Sequence, residues 1–516
     1  MATVSLPDRV SVEQLRNQAK DLRRAVRAGA PAALAEVADR YPGGLAVATG
    51  AFPLHAAQLV VARRYGFPSW ARLREQCATI ERYTRFPPTD PAGPAGAAPR
   101  TGEDLPGTFL RLACLWYEDD QPARWAAARE LLTAHPELTH GQVHAAAAAA
   151  DVPALASILA ADPGAARREG GPYQAEPLYY LAYARHDPQL AEDAALGAAR
   201  LLLAAGADPN AGYLWHGLTS PFTVLTGVFG HGELGLDRQP PHPCAQPLAR
   251  LLLTAGADPN DAQALYNRMF EPGNEHLELL FEFGLGQDAG GPWLARFGAD
   301  LGTPASMLRG QLAWAITHGM TGRVRLLAGH GVDVATPFED GQTPAALART
   351  TGHPDLVDIL IGYGAAEPSL PPLDDFIAAA LAADQARITQ LRDRDPDIVA
   401  QARAARPALV VWAAVLGRAD AVALLTGLGF DINAKGRTDG VGSTEWETAL
   451  HHAAGLGDLG LTQRLIELGA DPDIRDTRFG GTPLSWARYF GREQTAEFLA
   501  PITPADPAGP AGEDAS

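Results

Sequence analysis

Between Gly331 and Gly364 the chain reads GVDVATPFEDGQTPAALARTTGHPDLVDILIGYG, and its apolar residues fall into two short helical runs. Thr343-Pro344 predicts the start of the first helix, which ends near Gly352. His353-Pro354 predicts the second, in which Leu356, Val357, Leu360 and Ile361 share one face. Gly364 stops it. A helix pair this short cannot bury its apolar face alone, so it must stack on copies of itself.

The copies are visible along the chain. Thr448 to Gly457 and Thr482 to Gly491 repeat the step from Thr343 to Gly352, and Gly319 to Gly331, Gly417 to Gly429 and Gly457 to Gly469 repeat the step from Gly352 to Gly364. The runs LLLAAGADPN (201–210) and LLLTAGADPN (251–260) are nearly identical, and LIELGADPD (465–473) echoes them. With TPAALA (343–348), TALHHA (448–453) and TPLSWA (482–487), this resembles the ankyrin repeat. In that family TPLHxA opens an inner helix and a Gly-Ala-Asp-x-Asn element follows the outer one. The resemblance implies an all-α ankyrin repeat solenoid, with segments between pairs projecting as fingers beside the inner helices to make a concave face.

Length and composition fit that expectation. A chain of 516 residues is long for one compact domain, whereas a solenoid grows repeat by repeat without one growing core. The net charge of −18 is uneven: residues 1–86 carry 13 Arg/Lys against 7 Asp/Glu, so the remainder is strongly acidic. An acidic array repels nucleic acid, and no nucleic-acid partner is expected. Only Lys20 and Lys435 are lysines; that bias, with the excess of Ala, Gly and Pro, points to a G- and C-rich bacterial genome. Three cysteines without a CxxC pair indicate neither a disulfide framework nor a thiolate zinc site. No apolar run reaches signal-peptide or membrane-spanning length, so the expected location is the cytoplasm, with no membrane partner.

In order, residues 1–86 are expected to form a helical N-terminal cap over the first repeat. Ser11 is its first N-cap, Leu15, Ala19, Leu22 and Val26 form its apolar stripe, and Phe67, Trp70 and Leu73 a further buried side. This block resembles a segment that precedes ankyrin arrays in many bacterial proteins. Residues 87–106 read as a Pro/Gly/Ala-rich linker and 501–516 as a disordered tail, both carrying DPAGPAG. The array is expected over 107–500, with about eleven helix pairs and insertions near 187–195, 231–247 and 286–307.

Candidate chemistry is sparse. Gly230 to Gly235 spells GxGxxG, but the dinucleotide fingerprint needs a strand before it, and a helix is expected there. His140 and His144 stand at i and i+4 without a third ligand. His144, like His55 and His451, occupies the histidine position of a TPLH-type helix start, where imidazole bonds backbone. The insert 231–247 gathers His231, Glu233, Asp237, His242 and Cys244 in a spacing that matches no standard metal site, and Cys244 has no evident base. The aspartates of DRDPD (393–397) and DPDIRD (471–476) suit turns better than calcium. No catalytic, cofactor-binding or metal residue is therefore expected, and no cofactor.

What remains is a partner surface. Large residues that the repeat frame does not require sit in three between-pair segments. They are Tyr213, Trp215 and His216; then Lys435, Arg437 and Trp446; and last Arg475, Arg478 and Phe479, followed by Trp486 and Tyr489 on the next helix. Trp, Tyr and Arg are the types that anchor interfaces. The expected function is that of a non-catalytic, monomeric module binding a protein partner on the concave face. Two alternatives stand beside it: an immunity- or antitoxin-like protein that masks one target, and an enzyme with a metal or cysteine site in 231–247.

Overall fold

The computed structural model describes residues 11–44, 52–86, 103–118, 120–287, 291–436 and 446–504. They belong to two compact units, 1–307 and 308–516.

The first unit opens with four helices: α1 (Val12–Arg27), α2 (Pro31–Arg40), α3 (Leu54–Arg64) and α4 (Trp70–Tyr83). Ser11 caps α1 by accepting the Glu13 N–H. The stripe Leu15, Ala19, Leu22 and Val26 is buried against Val37, Phe52, Val60, Val61 and Leu73. Phe67 and Trp70 are half-buried at the margin of this core. The Arg64 guanidinium clamps the bundle, donating two hydrogen bonds to Glu36 (2.7 and 2.8 Å) and one to Gln18 (3.2 Å).

The block buries its stripe internally, and the last turn of α4 packs onto the middle of its own unit. Ile80 packs into a small core with Leu214, Trp293 and Phe297, and Tyr83 meets Trp293 edge-on at 4.9 Å. The chain then continues as β1 (Thr84–Arg85), parallel to β2 (Gly212–Trp215), which pairs antiparallel with β3 (Pro221–Thr223). Arg82 forks onto Glu169 and Arg85 donates to the Gln174 carbonyl. The N-terminal block thus fastens to fingers in the middle of its unit. The fold remains all-α in class, with this three-stranded sheet as its β component.

Five helix pairs follow in the first unit: Leu105–Ala113 with Pro122–Ala134, Val143–Ala148 with Val152–Ala161, Pro177–Tyr183 with Glu192–Ala204, Val224–Phe229 with Ala245–Thr254, and Ala262–Arg268 with Glu275–Glu282. Residues 103–106 are not linker: Asp104 caps the first helix by accepting the Gly107 N–H, and Glu103 pairs with buried Arg111. The rest of that expected linker, 87–102, and tail residues 505–516 lie outside the described residues. Part of the expected irregular stretch 286–307 is the helix Pro292–Phe297, whose Trp293 and Phe297 support the sheet.

The second unit also stacks helix pairs. Its first helix, Pro304–Thr317, begins just before the division and pairs with Thr321–Gly329. After it come Pro344–Thr350 with Pro354–Gly362, Pro372–Leu381 with Gln385–Arg394, Leu409–Val415 with Ala419–Gly427, Ala449–Leu456 with Leu459–Glu467, and Pro483–Tyr489 with Glu493–Leu499. Buried alanines such as Ala380, Ala413 and Ala453 let inner helices approach closely. Among the described residues, no single helix is long and apolar enough to cross a membrane.

Side chains tie each pair to its neighbour. In GADPN the aspartate turns the chain, Asp208 accepting the Asn210 N–H, and Asn210 Oδ1 then accepts the Asp258 N–H of the next pair. Asn433 and Asp471 repeat this bond in the second unit, and the expected calcium-like aspartates Asp395 and Asp471 make the same turns.

Removing Trp293 tests the N-terminal docking. Trp293→Ala is expected to destabilise the first unit by about 3–5 kcal/mol. Cys77, Cys114 and Cys244 are all buried in that unit. Pulsed thiol labelling across a urea titration should therefore show an earlier midpoint, while hydrogen exchange of peptides from the cysteine-free second unit keeps its midpoint.

Candidate partner-binding surface

The last two fingers of the second unit are organised by one carboxylate. Asp476 Oδ1 accepts the N–H groups of Arg478 (2.9 Å) and Phe479 (2.6 Å), and Oδ2 accepts those of Gly481 (2.8 Å) and the Trp486 indole (3.0 Å). Burial pushes this carboxyl up, but the four donors outweigh it and hold it below the usual range. The finger is closed further by Asp476 N–H to the Gly481 carbonyl and by Arg475 to the Gly480 carbonyl. Thr477 N–H donates to the Trp446 carbonyl, joining it to the finger before. That earlier finger is pinned where Gly436 pairs with Glu447.

His451 ties finger to helix. Its Nε2 lies 3.0 Å from the Gly481 carbonyl and its Nδ1 accepts the Thr448 N–H, an assignment of the neutral ring that follows from those partners. Thr448 Oγ1 in turn caps the helix by accepting the His451 N–H. His144 at the equivalent place bonds the Arg168 carbonyl, whereas His55 is exposed.

On this frame the rings form a continuous ladder. Phe479 lies 6.1 Å from Trp446, Trp446 6.3 Å from Trp486, Trp486 6.1 Å from Phe490, and Phe490 5.0 Å from Tyr489. The Arg478 guanidinium stacks over Trp446 at 4.8 Å and Phe479 at 5.3 Å. Phe479 is 55% exposed and Tyr489 79%. Trp446, Trp486 and Lys435 are half-buried, and Arg475 is exposed. Arg437 lies outside the described residues. Tyr489, expected from the sequence, lies on this surface, and Phe490 extends it further. The signal for Phe490 was weak because TPLSWA stops short of it.

The third expected group lies elsewhere. Tyr213 is 3% exposed, stacked on Trp116 at 5.0 Å and on Phe222 at 5.4 Å. Trp116 stacks in turn on Tyr173 at 4.1 Å, and Tyr179 on Tyr183 at 4.0 Å. Gly227 is required beneath this cluster, since a Cβ there would stand 2.2 Å from the Tyr183 ring. Trp215 and His216 are half-buried: Trp215 belongs to β2, and the His216 N–H donates to Arg85 of β1. Tyr213 is therefore core, not open surface, because the first unit fills its fingers with its own aromatic residues and fastens the N-terminal strand over them.

The insert 231–247 is likewise occupied with itself. Gly230 and His231, both at positive φ, end the helix Val224–Phe229, so a helix and not a strand precedes GxGxxG. His231 Nε2 meets Arg268, Glu233 accepts from Tyr266, and His242 Nδ1 accepts the Cys244 N–H. The Cys244 thiol points to the Leu190 carbonyl, and burial pushes its pKa up. Arg185, fully buried, grips the insert by donating to the carbonyls of Pro240 and Gly227. Among the described residues no three His, Cys, Asp or Glu side chains converge as metal ligands.

Residues 410–508 match the family described as ankyrin repeats, in three copies. These copies coincide with the last three helix pairs and carry the whole aromatic ladder. Residues 410–508 are thus a stretch of ankyrin repeats. No curated protein matches the chain.

Two predictions follow from this geometry. Asp476→Ala leaves buried N–H donors unpaired and should destabilise the second unit by about 1–3 kcal/mol, read from its urea midpoint. Acid should also weaken that unit. Burial lowers His451 and His452 from an ordinary 6.5 to about 4, and lowers His353 too. Their unfolded forms take up protons below 6.5 while the folded forms do not, so stability is lost as pH falls from 6.5 toward 4. In the first unit, burial lowers His186 and His231 to about 4 and lowers His144 and His242 as well. There, burial raises Glu176 to about 7 and Asp261 to about 6, and protonating these favours the folded form and opposes the histidines. Between pH 7 and 5 the urea midpoint of the second unit, read by hydrogen exchange of its peptides, should fall.

Proposed function

We propose that this chain is a non-catalytic interaction protein that binds another protein through the ladder Phe479–Trp446–Trp486–Phe490–Tyr489. The observation that carries the reading is that these rings and Arg478 form one contiguous surface over two fingers and an inner helix, with Phe479, Phe490 and Tyr489 exposed to solvent. Large apolar side chains exposed together mark an interaction site. Trp, Tyr and Arg are the types whose truncation costs about 2 kcal/mol or more at a hot spot. Asp476 fixes the backbone beneath them, so little ordering entropy opposes binding.

In this reading the protein acts as a monomer in the bacterial cytoplasm, and its partner is neither nucleic acid nor membrane. Residues 1–86 and the insert 231–247 serve the architecture of the first unit. Cys244, buried and with its thiol on a carbonyl, has no base placed to activate it among the described residues.

The test uses the most exposed rungs. Phe479→Ala with Tyr489→Ala should leave the melting temperature within about 2 °C, because neither ring is buried. The same pair should abolish recovery of a partner that the unmodified full chain enriches from lysate of the source cell. Equal recovery by both would remove the ladder from the binding site.

A further inference from the structure

The cations beside the ladder say what the partner must carry. Some arginines of the second unit are ion-paired, Arg349 with Glu367, Arg387 with Asp375 and Arg464 with Glu467, and others such as Arg418 and Arg492 donate to backbone carbonyls. Arg478 does neither. Its guanidinium rests on Trp446 and Phe479, and among the described residues it has no carboxylate and no carbonyl acceptor. Asp476, the nearest acid in sequence, spends both oxygens on N–H donors and leaves Arg478 unneutralised. Lys435 repeats the situation on the neighbouring finger. It precedes Gly436, whose carbonyl accepts the Trp446 and Glu447 N–H groups, and no described carboxylate pairs with it. Among the described residues neither Arg478, which lies on the rings, nor Lys435, on the neighbouring finger, has a carboxylate partner, in a chain whose net charge is −18.

We infer that the ladder accepts an acidic, apolar-rich segment of a partner protein, its Asp or Glu carboxylates taken by Arg478 and Lys435 and its apolar side chains laid on the rings. This rests on the ladder being the docking surface and adds what the partner presents there. A guanidinium held by two aromatic faces is pre-organised for a carboxylate. Complementary charge at such a site chooses among partners and speeds encounter. The long-range field of this acidic chain would repel an acidic segment, so recognition depends on contact with these two cations.

The experiment selects displayed random 12-residue peptides on the immobilised full chain, then measures the best binders by fluorescence anisotropy. The expected winners carry two or more Asp/Glu beside aliphatic or aromatic residues. They should weaken at least about tenfold with Arg478→Ala plus Lys435→Ala, weaken further with salt, and ignore Arg464→Ala. Circular dichroism of the double variant must match the parent, and Arg478→Lys, which keeps charge without the planar stack, should restore part of the affinity. Binders that need Phe479 and Tyr489 but are neutral or basic would overturn the acidic-segment inference and leave the docking surface standing. Binders indifferent to all four residues would overturn both. Enrichment of segments identical to this chain, with concentration-dependent dimerisation, would replace the foreign partner by a second copy and also overturn it.

Discussion

Everything here depends on the bond between neighbouring helix pairs. Inner helices of seven to ten residues, such as Pro344–Thr350 or Pro372–Leu381, are too short to persist alone, and each pair leaves an apolar face uncovered. Stacking supplies the cover, and directed hydrogen bonds fix the spacing. Asn210 to Asp258, Asn433 to Asp471, His451 to Gly481 and Trp412 to Thr351 each join a side chain of one pair to the backbone of another. These bonds satisfy backbone groups that would otherwise be stranded where one pair meets the next. They also hold the fingers rigid enough to carry exposed aromatic residues.

The repeat frame is legible in the chain because stacking imposes it locally. Only certain residues suit the positions that turn, cap or link, so Thr-Pro, Gly and Gly-Ala-Asp-x-Asn recur in phase. The aromatic fingers at Trp446 and Phe479 are legible for the complementary reason: the frame does not need them. What could not be read is long-range. Nothing local tells that Ile80 and Tyr83 meet Leu214 and Trp293, so the fastening of the N-terminal block to mid-unit fingers is not visible there. That same docking explains Tyr213. Its type and place match those of Trp446, and only the segments folded over it make it core.

Two treatments of one architecture follow. In the first unit, fingers and inner helices close on a packed group of Trp116, Tyr173, Tyr179, Tyr183 and Tyr213, and the insert is gripped by Arg185. Burial there is spent on stability and shape. In the second unit the corresponding surface of the last pairs carries rings of similar size, but Asp476 braces the finger beneath them and Phe479, Phe490 and Tyr489 stay exposed. Large aromatic residues in fingers therefore mean core or docking surface according to what the rest of the unit lays over them.

The most direct measurement is photocrosslinking in the source cell, with a photoreactive phenylalanine analogue placed at Phe479, at Tyr489 or, for comparison, at Tyr363 on an outer helix. Phe479 and Tyr489 are exposed, so the replacement leaves the frame intact. The account predicts a discrete protein adduct from Phe479 and Tyr489, and none of that mass from Tyr363. Adducts from Tyr363 with none from the ladder would contradict it.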